Sequence, residues 1–209
     1  MKWTLPNTLT VLRLVAAPGV ALMFLYFRRP WADFLALTLF VLAAITDYFD
    51  GYLARAWKQE SKFGAMLDPI ADKAMVVIAL VVLTGYSGMN PWLILPATVI
   101  LFREVFVSGL REFIGADAGK LKVTKLAKWK TTAQMVAIAI LFLGTGLDYI
   151  AKGRAPRAGE GDLPTGLGLA DLANHTGLAL IWLAAILTAI TGWDYFNKAL
   201  PLLRDNKDA

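Results

Sequence analysis

The residues best equipped for chemistry are four aspartates, two glycines and an arginine, all within one stretch. Residues 47–72 read Asp47-Tyr-Phe-Asp50-Gly51-Tyr-Leu-Ala54-Arg55, then eight residues, then Gly64-Ala-Met-Leu-Asp68-Pro-Ile-Ala-Asp72. Asp47 and Asp50 are three apart and Asp68 and Asp72 four apart, so each pair shares one face of a helix. One helix is expected to end in the first pair and the next to begin with the second, with Asp68 as N-cap and Pro69 as first helical residue. Two such ends brought together make a cage of carboxylate oxygens, suited to a hard divalent cation such as Mg²⁺ or Mn²⁺. With no cysteine and one distant histidine, a zinc-type site of soft ligands is disfavoured. Ions held by such a cage can clamp a pyrophosphate, stabilise developing charge and release a nucleoside monophosphate. Not every carboxylate need be a ligand: Asp72, at the start of the inner helix, is the natural group to take a proton from an attacking hydroxyl. Gly51 and Ala54, one turn apart, let a ligand or a neighbouring helix approach the backbone. Arg55 suits a phosphate or marks an ordinary basic flank.

The elements that must position these groups are apolar. The chain is 57% hydrophobic with a mean hydropathy of +0.56, above the roughly 45–50% apolar content of soluble domains. Several runs reach about 18–20 residues with few charges, enough to cross a hydrocarbon core of roughly 30 Å. The expected fold is therefore all-α. It is a polytopic six-transmembrane-helix bundle over residues 1–209 as one domain, with a short N-terminal amphipathic segment (residues 1–8). The spans are expected at about 9–27, 31–53, 69–86, 92–113, 129–149 and 177–200. A Gly- and Pro-rich loop at about 151–176 is expected to contain His175. The first run lacks a strongly basic start and a small-residue cleavage site, so a span is expected there rather than a removed signal.

The formal net charge is +5, which fits an anionic leaflet and anionic substrates. Nucleic acid is not expected as a partner, because the Lys and Arg residues lie in loops between apolar runs. Most of the 21 Lys and Arg fall on the side of the two termini, which puts both termini and the aspartate cluster in the cytosol.

The pattern Asp47-x-x-Asp50-Gly51-x-x-Ala54-Arg55, eight residues, Gly64-x-x-x-Asp68-x-x-x-Asp72 resembles, without departure, the signature of the CDP-alcohol phosphotransferase family. That resemblance implies a six-helix membrane bundle, usually a homodimer, whose enzymes use a second alcohol to displace CMP from a CDP-linked lipid or alcohol. It implies two divalent ions held by Asp47, Asp50, Asp68 and Asp72, with Asp72 as general base. It also implies a CDP site made by Asn7, Thr10, Asp47, Gly51, Ala54, Arg55, Gly64 and Asp68.

Three further stretches resemble the glycerol-phosphate-using branch of that family. They are Pro6-Asn7-Thr8-Leu9-Thr10-x-x-Arg13, Arg103-Glu104-x-x-x-Ser108-x-x-Arg111-Glu112 and Lys128-x-Lys130-Thr131-Thr132-Ala133-Gln134-Met135. The likeness implies CDP-diacylglycerol as donor and sn-glycerol 3-phosphate as acceptor, at the inner membrane of a bacterium. The acceptor phosphate would be held by Arg103, Ser108, Arg111, Lys128 and Lys130. Arg103 is the sharpest of these, since a lone cation inside an apolar run needs a partner, which Glu104 could also supply. Two alternatives remain at this stage: a member of the same family taking serine, an inositol phosphate or a lipid as acceptor, and a divalent cation transporter. Against the transporter stand the one-sided placement of the carboxylates and the absence of internal repeats.

Overall fold

The apolar runs fold as helices because that is how a chain in lipid satisfies every backbone N–H and C=O internally. The structure, a computed structural model, describes residues 5–56, 61–115, 125–153 and 168–203; the side chains of residues 6, 48–56 and 125–128 lie outside that description. The described residues form six helices: α1 Leu5–Tyr26, α2 Trp31–Ala56, α3 Lys62–Tyr86, α4 Pro91–Ile114, α5 Lys125–Gly153 and α6 Leu169–Leu203. Helix α1 packs between α2 and α3, α6 packs between α4 and α5, and the α2–α5 contact joins the two halves. The shared core is built from Phe40, Met75, Leu80, Ile138, Phe142 and Ile181, all fully buried, with Ala17, Ala36, Ala79, Ala137 and Ala184 between them. Small residues at the crossings let the helix backbones approach closely.

The outward faces are as apolar as the core. Leu12, Val15, Leu25, Phe102, Val105, Ile186 and Trp193 all stand exposed, an arrangement suited to lipid. Among the described residues, four helices are long and apolar enough to cross a membrane: Asn7–Tyr26, Pro91–Ile114, Trp129–Gly153 and Leu169–Leu203. The chain is thus an all-α integral membrane protein.

Several element ends differ from expectation. Helix α3 begins seven residues before Pro69, at Lys62. Its N-cap is Ser61, whose hydroxyl accepts from the Gly64 N–H at 3.0 Å. A side-chain cap at Ser61 outcompetes one at Asp68 because the turn between them is already helical. Asp68 and Asp72 therefore project from the interior of α3, and α2 runs past its own pair to Ala56. At the N-terminus, α1 is continuous from Leu5, so no separate amphipathic segment precedes it within the described residues. The expected loop at 151–176 is trimmed from both sides, since α5 continues to Gly153 and α6 starts at Leu169. His175 lies in the first turns of α6, exposed, with Nδ1 2.7 Å from the Asp171 carbonyl.

The end of the bundle opposite the signature aspartates is fastened by an ion pair whose carboxylate is fully buried. Arg29, between α1 and α2, donates from Nε and Nη2 to both oxygens of Asp33 at 2.8 and 2.7 Å, and from Nη2 to the Thr145 carbonyl at 3.0 Å. Asp33 is fully buried. Its hydrogen bond and charge hold the Arg29 guanidinium above its ordinary pKa against the cost of burial, and Tyr86 and Tyr149 stack beside it. A Cβ on Gly146 would come within 3.1 Å of the Asp33 side chain and 3.2 Å of Phe34, so α5 approaches α2 here only because residue 146 has none.

Candidate active site

Helix α1 presents Asn7, Thr10 and Arg13 along one face, each three residues from the next. All three are buried, and all meet groups of α3. Ser61 Oγ donates to Asn7 Oδ1 at 2.7 Å. Thr10 Oγ1 donates to Asp68 Oδ1 at 2.8 Å. Arg13 Nη1 donates to Asp72 Oδ1 at 2.6 Å, and Nη2 lies 3.5 Å from Asp68 Oδ1. Because α1 also packs on α2, the same Nη1 reaches Oδ1 of Asp47. One guanidinium with 1% of its side chain exposed thus gathers three carboxylates that are 39–46% exposed.

The structure therefore brings Asp47, Asp68 and Asp72 together, along with Thr10, Asn7 and Gly64. The backbone of Asp50, Gly51, Ala54 and Arg55 continues α2, but their side chains lie outside the described residues, as does that of Lys128 in α5.

Among the described side chains, three carboxylates face one guanidinium, an excess of two formal negative charges. That excess, on hard oxygen donors open to solvent, fits a divalent cation in charge and donor type. Among the described residues no three acidic or imidazole groups close on one point as a bare cage. What stands between the carboxylates is Arg13.

A second cluster adjoins the first through consecutive residues of α3. Asp72 faces Arg13, and Lys73 donates to Ser108 of α4. The Ser108 hydroxyl also donates to the Glu104 carbonyl one turn earlier. The Glu104 carboxylate pairs with Lys130 of α5 and, at 3.4 Å, with Arg103 Nη1. Lys130 is buried, and an ammonium at that depth requires such a partner. Arg103 lies along α6: a Cβ on Gly192 would stand 2.9 Å from Arg103 Cγ. Arg103, Ser108 and Lys130 are therefore assembled around Glu104, whereas Arg111 stands exposed in the last turn of α4.

Two participants escaped assignment from sequence. Arg13 stands in a stretch that resembles the family but has no role of its own assigned there, and Lys73 is a charge inside an apolar run. The signal was that very placement, because a cation at membrane depth implies a partner. The identity of the partners needed the fold.

Comparison with known proteins agrees with the signature. A family model described as CDP-alcohol phosphatidyltransferase matches residues 3–190. A protein of Cereibacter sphaeroides is 72% identical, over 99% of this chain and 100% of its own length. One of Rickettsia bellii is 42% identical over 92% of this chain and 93% of its own, and one of Escherichia coli K12 is 36% identical over 98% and 100%. Each of these relatives bears the name CDP-diacylglycerol–glycerol-3-phosphate 3-phosphatidyltransferase. With three of the signature aspartates, Asp47, Asp68 and Asp72, gathered in one site and the match spanning nearly the whole length, this chain belongs to the CDP-alcohol phosphatidyltransferase family.

Proposed function

We propose that this protein is the phosphatidyltransferase that converts CDP-diacylglycerol and sn-glycerol 3-phosphate to phosphatidylglycerol phosphate and CMP. The observation that carries this reading is the 72% identity, end to end, with the Cereibacter sphaeroides protein of that name. The coexistence of an acidic and a basic cluster in adjoining positions supports it, since the reaction needs both.

The acceptor hydroxyl attacks the phosphorus bound to diacylglycerol. A new P–O bond to glycerol phosphate forms, the bond to the CMP oxygen breaks, and the hydroxyl proton passes to the Asp72 carboxylate. Asp47, Asp50, Asp68 and Asp72 would hold two divalent ions, Mg²⁺ or Mn²⁺. When bound, these supply positive charge to the pyrophosphate and to the leaving CMP. Asn7, Thr10, Gly51, Ala54, Arg55 and Gly64, with Asp47 and Asp68, form the CDP site. The small residues let the nucleotide come close to the backbone.

Arg103, Ser108, Arg111, Lys128 and Lys130 receive the acceptor phosphate. Lys73 joins them, because it is bonded to Ser108 and follows the base in sequence, so one turn of α3 bridges proton acceptor and phosphate clamp.

All six helices cross the bilayer as one domain, including α2 and α3 with their polar ends, and the protein works as a homodimer in the bacterial inner membrane. Both termini and both clusters face the cytosol, where a water-soluble acceptor and CMP can exchange. The lipid tails remain in the bilayer.

The test is CMP release by purified protein in detergent with CDP-diacylglycerol and Mg²⁺ or Mn²⁺, each acceptor offered in turn. Turnover with glycerol 3-phosphate alone supports the reading. Turnover with serine or an inositol phosphate would retain the family mechanism and refute the acceptor site. Orientation is testable separately: the chain has no cysteine, so single cysteines at Arg28 and Arg111 should label from opposite sides of sealed vesicles.

A further inference from the structure

Arg13 occupies the middle of the acidic cluster, bonded to Oδ1 of Asp47 and Oδ1 of Asp72, with Asp68 3.5 Å away. A divalent cation drawing on these same carboxylates would meet a unit positive charge already seated among them. The seat is well made. The guanidinium side chain is 1% exposed, Thr10 one turn earlier holds Asp68 in place, and α1 is pinned to α3 through Asn7 and Ser61. Without a counter-charge, three carboxylates at this depth would repel one another and push α2 from α3.

From this geometry we infer that Arg13 is the site's built-in counter-cation. It holds Asp47, Asp68 and Asp72 together while no metal is bound, and it competes with the divalent ion for their oxygens. The inference rests on the reading that these aspartates hold the metal, and it adds a role for a residue that touches neither reacting atom. Metal loading is then an exchange of cations at a preassembled site. Part of the ion's intrinsic affinity is spent in displacing the guanidinium, so the apparent affinity falls by the fraction of molecules in which the seat is open.

The experiment is a Mn²⁺ titration of the full-length protein in detergent without substrate. Free Mn²⁺ is read by electron paramagnetic resonance, alongside thermal unfolding in EDTA and in Mn²⁺. In wild type, Asp47→Asn should abolish the tight Mn²⁺ site. Arg13→Gln should bind Mn²⁺ about tenfold more tightly, the value for a seat open in about a tenth of molecules. The same variant should unfold at lower temperature in EDTA and gain more than wild type from added Mn²⁺. Arg13→Lys keeps the charge but offers one nitrogen in place of a planar fork; it should tighten Mn²⁺ about twofold to threefold, and it carries the test if Arg13→Gln does not fold. A structural role alone would lower stability without tightening metal binding. Unchanged or weaker Mn²⁺ binding in a folded Arg13 variant overturns the inference while leaving the metal reading intact. Absence of an Asp47-dependent Mn²⁺ site in wild type overturns both.

Discussion

A Cβ placed on Gly64 would stand 2.8 Å from Oδ1 of Asn7. Asn7 is itself fixed by the Ser61 hydroxyl that caps α3, so it cannot move aside without disturbing the cap. The α1–α3 crossing, and with it the approach of Thr10 and Arg13 to Asp68 and Asp72, depends on residue 64 having no side chain. Gly64→Ala should therefore lower stability by about 1–3 kcal/mol, the usual cost of overpacking, and reduce turnover as well. Adding Asn7→Ala should recover part of the stability lost to Gly64→Ala. A double-mutant cycle by thermal unfolding measures the coupling, which should be well above the few tenths of a kcal/mol of independent sites.

Asp72→Asn keeps the shape of the side chain and removes its basicity. The loss in kcat should be about 10²- to 10⁴-fold, the range for a positioned general base. The KM for glycerol 3-phosphate should change little, because the proposed acceptor site holds the phosphate on other residues. Steady-state CMP release with varied acceptor separates the two parameters. A large rise in KM with kcat preserved would remove Asp72 from the role of base.

Lys130 and Glu104 form a pair in which both side chains are largely buried. Lys130→Met should destabilise the protein by about 1.5–3 kcal/mol, because the largely buried Glu104 carboxylate loses its Lys130 partner and keeps only Arg103 at 3.4 Å, and should raise the acceptor KM. Lys130→Met combined with Glu104→Gln should regain part of the stability, since the carboxylate that lost Lys130 is gone and only the 3.4 Å pairing with Arg103 is given up. The acceptor KM should stay high in the double variant, because the cation is still missing. Thermal unfolding and acceptor titration, run on the same preparations, check both halves.

The Arg29–Asp33 pair should report on the fold alone. Asp33→Asn leaves the half-buried Arg29 guanidinium with weaker partners, and a loss of about 1.5–3 kcal/mol is expected. The kcat of the folded fraction should match wild type, since this pair fastens the end of the bundle away from the signature aspartates. Unfolding midpoints and specific activity per folded molecule measure the contrast.

The features that could be seen in the sequence were those with a local signature. Apolar run length gave the helices to within a turn or so at most ends, and the spacing of Asp47, Asp68 and Asp72 gave a shared site. Helix starts were less legible: Asp68-Pro69 carries the local marks of an N-terminus, yet Ser61 wins because its hydroxyl finds the Gly64 N–H. The partners of Arg13 and Lys73 were illegible for a different reason. Each pairing crosses between helices, at separations such as Arg13 to Asp72 or Lys73 to Ser108, and only packing decides which helix faces meet.

The Arg13 contacts also bear on how the protein is made. A carboxylate or guanidinium in the middle of a lone helix costs about 2.5–3.5 kcal/mol on leaving the translocon for lipid. Helix α1, carrying Arg13, emerges from the ribosome before α2 and α3, which bring its counter-charges. Partition into the bilayer is therefore easiest when the three leave together as one charge-compensated group. Biogenesis thus favours a delay at the translocon until the third helix has been synthesised, and loss of Arg13 should show first as poor membrane integration of the nascent chain.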